Sequence, residues 1–177
     1  CYGINSSFEH FYEQIKGFYR IFTASIQNCS PTTQTFSLMI TVSPVATRKE
    51  LKEFTKFKIK LYAGNPYAVP PLYADEREAL LKGHNPALKV YDHQVFLAKR
   101  DGKTVGRIVA IINHISNRKT GKACVRFGFI DFVEDFEVAK ALIETVEQWG
   151  RERGMEAIHG PLGFTDFDPE GMLIYGF

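Results

Sequence analysis

Residues 94–112 constrain this chain more than any other stretch. Gln94-Val95-Phe96-Leu97-Ala98 is an apolar run of strand length, and Thr104-Val105-Gly106-Arg107-Ile108-Val109-Ala110-Ile111-Ile112 is a second. Between them stands Arg100-Asp101-Gly102-Lys103. An Asp-Gly pair closes a tight hairpin because glycine takes the positive φ that such turns require. The two runs are therefore predicted to be antiparallel neighbours. The second is apolar nearly throughout after Arg107, which suits a strand buried on both faces. A chain that contains it needs a sheet covered on both sides.

The surrounding pattern supplies the cover. Ile40-Thr41-Val42-Ser43 is a short β-branched strand, followed by Thr47-Arg48-Lys49-Glu50, a Thr-x-x-Glu capping box. Leu51, Phe54, Phe57, Leu61 and Tyr62 recur at helical spacing, so a helix is expected to about Tyr62, where Gly64-Asn65-Pro66 stops it. Asp75-Glu76 open a second, short helix through about Lys82. After the hairpin, residues 113–122 read as a polar connection and residues 123–130 as a third long strand. A long helix is predicted from near Asp135 to about Arg153, with Val138, Leu142, Val146 and Trp149 as its apolar stripe. Lys140, Glu144, Glu147 and Gln148 form its wet side, and Gly154 its terminating glycine. Residues 157–161 return as a strand. The order β-α-α-β-β-β-α-β indicates an α/β (α+β) fold: a mixed, mainly antiparallel sheet with helices on both faces.

Composition divides the chain near Met39. Residues 1–38 carry nine of the eighteen Ser and Thr, yet one Val or Leu against 21 in the remainder. Eight aromatics with almost no aliphatic partners make a poor core, so residues 1–38 are expected to be a non-domain extension, with residues 39–177 as the domain. The first Met is Met39, which is expected to be the natural start. A net charge of +2 gives no case for a nucleic-acid partner. The absence of a long apolar run excludes a transmembrane helix, so no membrane partner and a cytoplasmic location are expected. Three cysteines are too few for a disulfide scaffold, and no metal site is expected.

The segment from Phe96 to Ile108, followed by a strand-helix unit, resembles the first two-thirds of the GNAT fold, that of the acyl-CoA N-acyltransferases. Two further segments resemble a group of uncharacterised bacterial GNAT-like proteins. They are Asn65-Pro66-Tyr67-Ala68-Val69-Pro70-Pro71 and Gly160-Pro161-Leu162-Gly163-Phe164-Thr165-Asp166-Phe167-Asp168-Pro169-Glu170-Gly171-Met172-Leu173. The resemblance covers residues 39–177 and the N-terminal part of longer proteins. It implies a C-terminally truncated domain whose partner is its own missing C-terminal half. It also implies transfer of an acyl group, acetyl above all, from acetyl-CoA or another acyl-CoA to a small-molecule amine. The alternative is a non-catalytic GNAT-like domain, a structural or ligand-binding half of a longer protein.

By fold position, the resemblance places the cofactor against Phe129, Ile130, Asp131, Asp135, Phe136 and Glu137. The splayed end of that strand (residues 129–131) would offer backbone N–H groups to a developing oxyanion. The glycine-rich, basic phosphate loop of a typical GNAT is absent here. Ile130-Asp131-Phe132-Val133-Glu134-Asp135-Phe136-Glu137 holds four acids and no base, which suits a helix start and repels a pyrophosphate. His159 is a candidate general base because its ordinary pKa lies near neutrality, and a strand-end histidine bonded to backbone is the competing reading. Asp166 and Asp168 are candidates to bind an amine or take its proton, against a turn-capping role. Tyr175 is a candidate acid for the leaving thiolate. Cys124 reads as a core thiol, and the lysines of the first helix as a solvated face.

Overall fold

The computed structural model describes residues 2–3, 39–69, 73–81, 83–165, 167–168 and 170–171. In chain order the elements are β1 (Tyr2–Gly3), β2 (Thr41–Pro44), α1 (Arg48–Leu61), α2 (Tyr73–Ala79), a single 3-10 turn (Pro86–Lys89), β3 (Tyr91–Arg100), β4 (Lys103–Asn113), α3 (His114–Thr120), β5 (Cys124–Phe132), α4 (Phe136–Arg151) and β6 (Ala157–His159). The sheet order is β1-β6-β5-β4-β3-β2, antiparallel throughout except for the parallel β5–β6 pair. Of residues 1–38, Tyr2 and Gly3 alone are described, lying beside Ile158 and Ala157 at the sheet edge. The mixed sheet with helices on both faces is the architecture expected.

The β3–β4 hairpin lies inside the sheet, with β2 on one side and β5 on the other. Arg100 pairs with Lys103, so Asp101 and Gly102 form a two-residue loop, and both have positive φ, 50° and 72°. This is the backbone that lets a tight turn match the strand twist. Residues 106–113 of β4 are all buried. One face of the sheet meets α4 through Phe96, Ile108, Ala110, Ile112, Val125, Phe127, Val138, Leu142 and Val146. The other meets α1 and the segment after α2 through Leu51, Phe54, Leu80, Val95, Leu97, Val109, Ile111 and Phe164.

Helix α1 begins at the capping box: Glu50 N–H donates to Thr47 Oγ1 at 3.2 Å, and Thr47 N–H donates to the Glu50 carboxylate at 2.9 Å. Helix α4 begins at Asp135, whose carboxylate accepts from Glu137 N–H at 2.9 Å, and Gly154 lies beyond its end with φ 76°. The stripe of Val138, Leu142, Val146 and Trp149 is buried, as the spacing predicts. Glu147 departs from the wet side assigned to it. It is 4% exposed, because the buried arc widens to include Ile143 and Gly150, the neighbours one turn before and after it. Burial pushes its carboxyl pKa up, against the opposing charge of Arg151, whose guanidinium donates at 3.0 Å.

The connection over residues 113–122 is not irregular. It contains α3, capped by Asn113, whose Oδ1 accepts from Ser116 N–H, and closed by Gly121 at φ 65°. No residue of α3 is buried, so it left no apolar period to read. Cys124 is buried, and that burial raises its thiol pKa. Among the described residues no helix is long and apolar enough to cross a membrane, and no cluster of three or more His, Cys, Asp or Glu could hold a metal.

Candidate functional site

Strand β5 changes its allegiance half-way along. Val125 and Phe127 face the α4 layer, and simple alternation would send residues 129 and 131 the same way. A bulge intervenes. Two steps on β4, Arg107 to Val109, oppose three on β5, Asp131 to Gly128, and Phe129 takes up the extra residue at φ 52°. One added residue exchanges the two faces. Phe129 therefore packs in the α1 layer, while Ile130 and Phe132 pack in the α4 layer. Asp131 meets Arg107 as a consequence.

Arg107 is 1% exposed. Its Nε donates to Asp131 Oδ2 at 2.7 Å, and NH2 lies 2.7 Å from the same oxygen. Its NH1 donates to the Phe54 carbonyl at 3.1 Å and to Glu76 Oε1. The guanidinium also lies over the Phe54 ring, 4.7 Å from the centroid. Two carboxylates thus face one cation in a nearly dry setting, leaving one negative charge in excess. Asp131 forms part of the lining of a cavity of about 550 Å³ between the end of α1 and residues 62–69. Lys58, Ile59, Tyr62, Asn65, Tyr67 and Val69 line it as well. The negative end of the α1 dipole lies at this wall, which adds to the attraction for a cation. Lys58 opposes it, but that side chain is only half-buried and its charge is screened by water.

Tyr62 links the cavity to the ion pair. Tyr62 is 40% exposed, and the partial burial of its phenol pushes the pKa up to about 12, with the charge of Asp131 and a hydrogen bond to Asp131 acting in the same direction and the charge of Arg107 opposing. The phenol is therefore a neutral donor at physiological pH. A raised folded-state pKa means that the native protein keeps a proton which the unfolded chain releases near 10. Stability from this group is complete below pH 10 and lost as pH rises to about 12. In an ultraviolet phenolate titration, Tyr62→Phe should remove a phenol that titrates above the ordinary tyrosine range and flatten the alkaline loss of stability. Loss of a phenol that titrates in the ordinary tyrosine range, with the high-pH part of the curve unchanged, would show that the Tyr62 pKa is not raised.

The other expected site residues are dispersed. His159 pairs with Arg126 in the β5–β6 ladder, before the bulge, and not beside Asp131. It is largely exposed, and the partial desolvation that remains, together with nearby positive charge including Arg126, lowers its pKa. Asp168 caps a turn: its Oδ2 accepts from Thr165 N–H at 2.9 Å, and its N–H donates to the Thr165 carbonyl. Asp166 and Tyr175 lie outside the described residues. The 160–165 loop crosses β5 closely. Leu162 N–H donates to the Phe127 carbonyl at 2.8 Å, and a Cβ on Gly128 would stand 2.4 Å from the Leu162 carbonyl oxygen. Phe164 anchors the loop against Phe129, Tyr91 and His93.

The acidic stretch is less repulsive than its composition suggests. Asp131 is held by Arg107, and Asp135 accepts from Arg100 NH2 at 2.6 Å, leaving Glu134 and Glu137 exposed. Phe136, Glu137 and Val138 nevertheless start a helix already capped by Asp135, so a phosphate there must displace a resident carboxylate. Arg107, Glu76 and Tyr62 were not singled out by motif. The available signal was an arginine inside an apolar strand, because a buried charge requires partners.

No protein-family model matches the chain. Protein YghO of Escherichia coli strain K12 is 35% identical over 130 residues, 73% of this chain and 33% of that protein. The bacterial ceramide synthase of Caulobacter vibrioides is 34% identical over 139 residues, 78% of this chain and 36% of that protein. The chain spans about a third of the length of these curated relatives. Among solved structures, a tandem GNAT protein from the clavulanic acid pathway superposes with a TM-score of 0.52 at 16% identity, over 66% of this chain and 34% of that one. AAC(6')-Iy bound to a CoA-linked bisubstrate analogue superposes with a TM-score of 0.50 at 18% identity, over 78% and 97%. The chain has the fold of the GNAT superfamily, and the structures it resembles are acetyltransferases.

Proposed function

We propose that residues 39–177 are the acyltransferase unit of a longer N-acyltransferase that moves an acyl group from acyl-CoA to an amine held in the cavity beside Asp131. The carrying observation is the buried carboxylate pair around Arg107, whose excess negative charge reaches the cavity through Asp131. An ammonium group fits that charge, and the neutral Tyr62 phenol supplies a donor beside it. The reaction forms a C–N bond and breaks the C–S bond of the thioester. The thiolate leaves as CoA thiol with one proton, and the ammonium gives up its second surplus proton through Asp131 to solvent. The bulged end of β5 is the place where backbone N–H groups would polarise the thioester carbonyl.

The relative named as a ceramide synthase points to the acceptor class. A ceramide is the N-acyl derivative of a long-chain amino alcohol, and the cavity walls from Ile59, Ala63, Ala68 and Val69 are apolar. The test is thiol release from acetyl-CoA and a long-chain acyl-CoA, with a long-chain 2-amino-1,3-diol as acceptor, followed by mass detection of the amide. Thiol release that requires the amine supports this function; amine-independent thiol release, or none with any acyl-CoA, refutes it.

The Asp135 cap favours a second reading, a GNAT-fold domain without turnover. Calorimetry with CoA separates the two, since binding strong enough to displace the cap is required by the first.

A further inference from the structure

Helix α1 has two faces of different character. Leu51, Phe54, Thr55 and Phe57 are buried in the domain. Lys49, Lys52, Lys56 and Lys60 follow at spacings of three and four, so they form one stripe on the opposite side, and all four are exposed. None has an ion-pair partner among the described residues. Of the two acids in α1, Glu53 is engaged by Lys99 at 3.1 Å and by Thr104, and Glu50 by the Thr47 cap.

The stripe ends at Lys60, shortly before an exposed apolar loop. After α1 the chain turns through Gly64 and Asn65 and presents Tyr67 at 91% and Val69 at 88% exposure. Single exposed apolar residues are ordinary. These two line the cavity that Asp131 also lines, and they follow the lysine stripe within nine residues of Lys60. Lysines over anionic headgroups, with an aromatic and an aliphatic side chain entering the headgroup boundary, are the pattern of a surface-bound helix and loop.

We propose that the lysine stripe of α1 and the 62–69 loop form a docking surface for an anionic phospholipid bilayer, with the cavity mouth facing the lipid. The expectation of no membrane partner rested on the missing transmembrane run, and surface docking needs none. Docking itself is independent of turnover; the entry of a lipid amine through the mouth rests on the proposed acyl transfer. The two are separable because vesicle binding is measured without acyl-CoA.

The test is flotation of the full chain with vesicles of phosphatidylcholine alone and of phosphatidylcholine with phosphatidylglycerol in equal parts. The wild type should partition to the anionic vesicles and release with added salt. Combined Lys49→Gln, Lys52→Gln, Lys56→Gln and Lys60→Gln should lower partitioning by at least about tenfold, since each lysine near an anionic surface contributes roughly fivefold. Combined Tyr67→Ser and Val69→Ser should lower the salt concentration at which the chain is released from the anionic vesicles, and an unchanged release point overturns the part given to the loop. Circular dichroism confirms that each variant folds, and all changed side chains are exposed or half-exposed at the surface. Absence of binding, equal binding to both vesicle types, or an unchanged lysine variant overturns the proposal. Tighter capture of a single-stranded RNA than of anionic vesicles, insensitive to Tyr67 and Val69, would reassign the stripe to a polyanion and overturns it equally.

Discussion

Replacing Arg107 with methionine should lower the unfolding free energy by about 3–5 kcal/mol, the usual cost of removing one member of a buried ion pair. Methionine matches much of the arginine volume, so the loss reports charge and hydrogen bonding more than a cavity. Without the guanidinium, Asp131 and Glu76 stand close together, almost dry and of like charge, and the Phe54 carbonyl loses its donor. At least one carboxyl must then take a proton or drag water into the α1 layer. Arg107→Lys should fare little better, because one ammonium cannot serve Asp131, Glu76 and the Phe54 carbonyl in the geometry of the fork. In thermal unfolding the methionine variant should melt about 10 °C lower. A loss below about 1 kcal/mol would show that the triad is no better than the exposed ion pairs of the surface.

Asp131→Asn should reduce kcat/KM for the amine by about 100-fold, the lower part of the range for a group that handles the substrate's proton. The substitution keeps the shape and leaves Arg107 paired with Glu76, so its stability loss should be clearly smaller than that of Arg107→Met. Tyr62 gives an independent readout. Its raised pKa has three contributors, burial first, and the asparagine removes the second, the Asp131 charge. The phenol should therefore titrate earlier than in the wild type, yet later than an ordinary tyrosine. A variant that keeps full activity while the Tyr62 titration moves would detach Asp131 from catalysis and leave it a structural ion.

The elements with local causes were legible in the sequence. Asp101-Gly102 demanded a hairpin, Thr47 and Glu50 a helix start, and the 138-142-146-149 spacing a buried stripe. The candidate site was much less so. Its central contact joins Arg107 to Glu76, to Phe54 and to Asp131, residues far apart in the chain, and no window of sequence contains such a contact. Asp131 is marked in the sequence by its position in the fold, as part of a cofactor region, and not by the partner it has. His159 and Asp168 stand out in the sequence by residue type; a ladder end and a turn account for where they sit. The two local misreadings have local reasons. Helix α3 has no buried face, and Glu147 is a charged residue inside an apolar arc.

The bulge at Phe129 has a consequence for how substitutions along β5 sort themselves. Upstream of it, Val125 and Phe127 serve the α4 core; downstream, that duty passes to Ile130 and Phe132, whose numbers have the other parity. The strand is thus written in two reading phases joined at one residue. Comparison with any strand that lacks the extra residue goes out of phase after Gly128, matching core positions to cavity positions. Deleting Phe129 would remove the bulge, restore plain alternation and leave Asp131 on the α1 face, whereas deleting Ile130 with the bulge kept would turn the Asp131 carboxylate into the α4 core, so this strand tolerates a change of length only at the bulge itself.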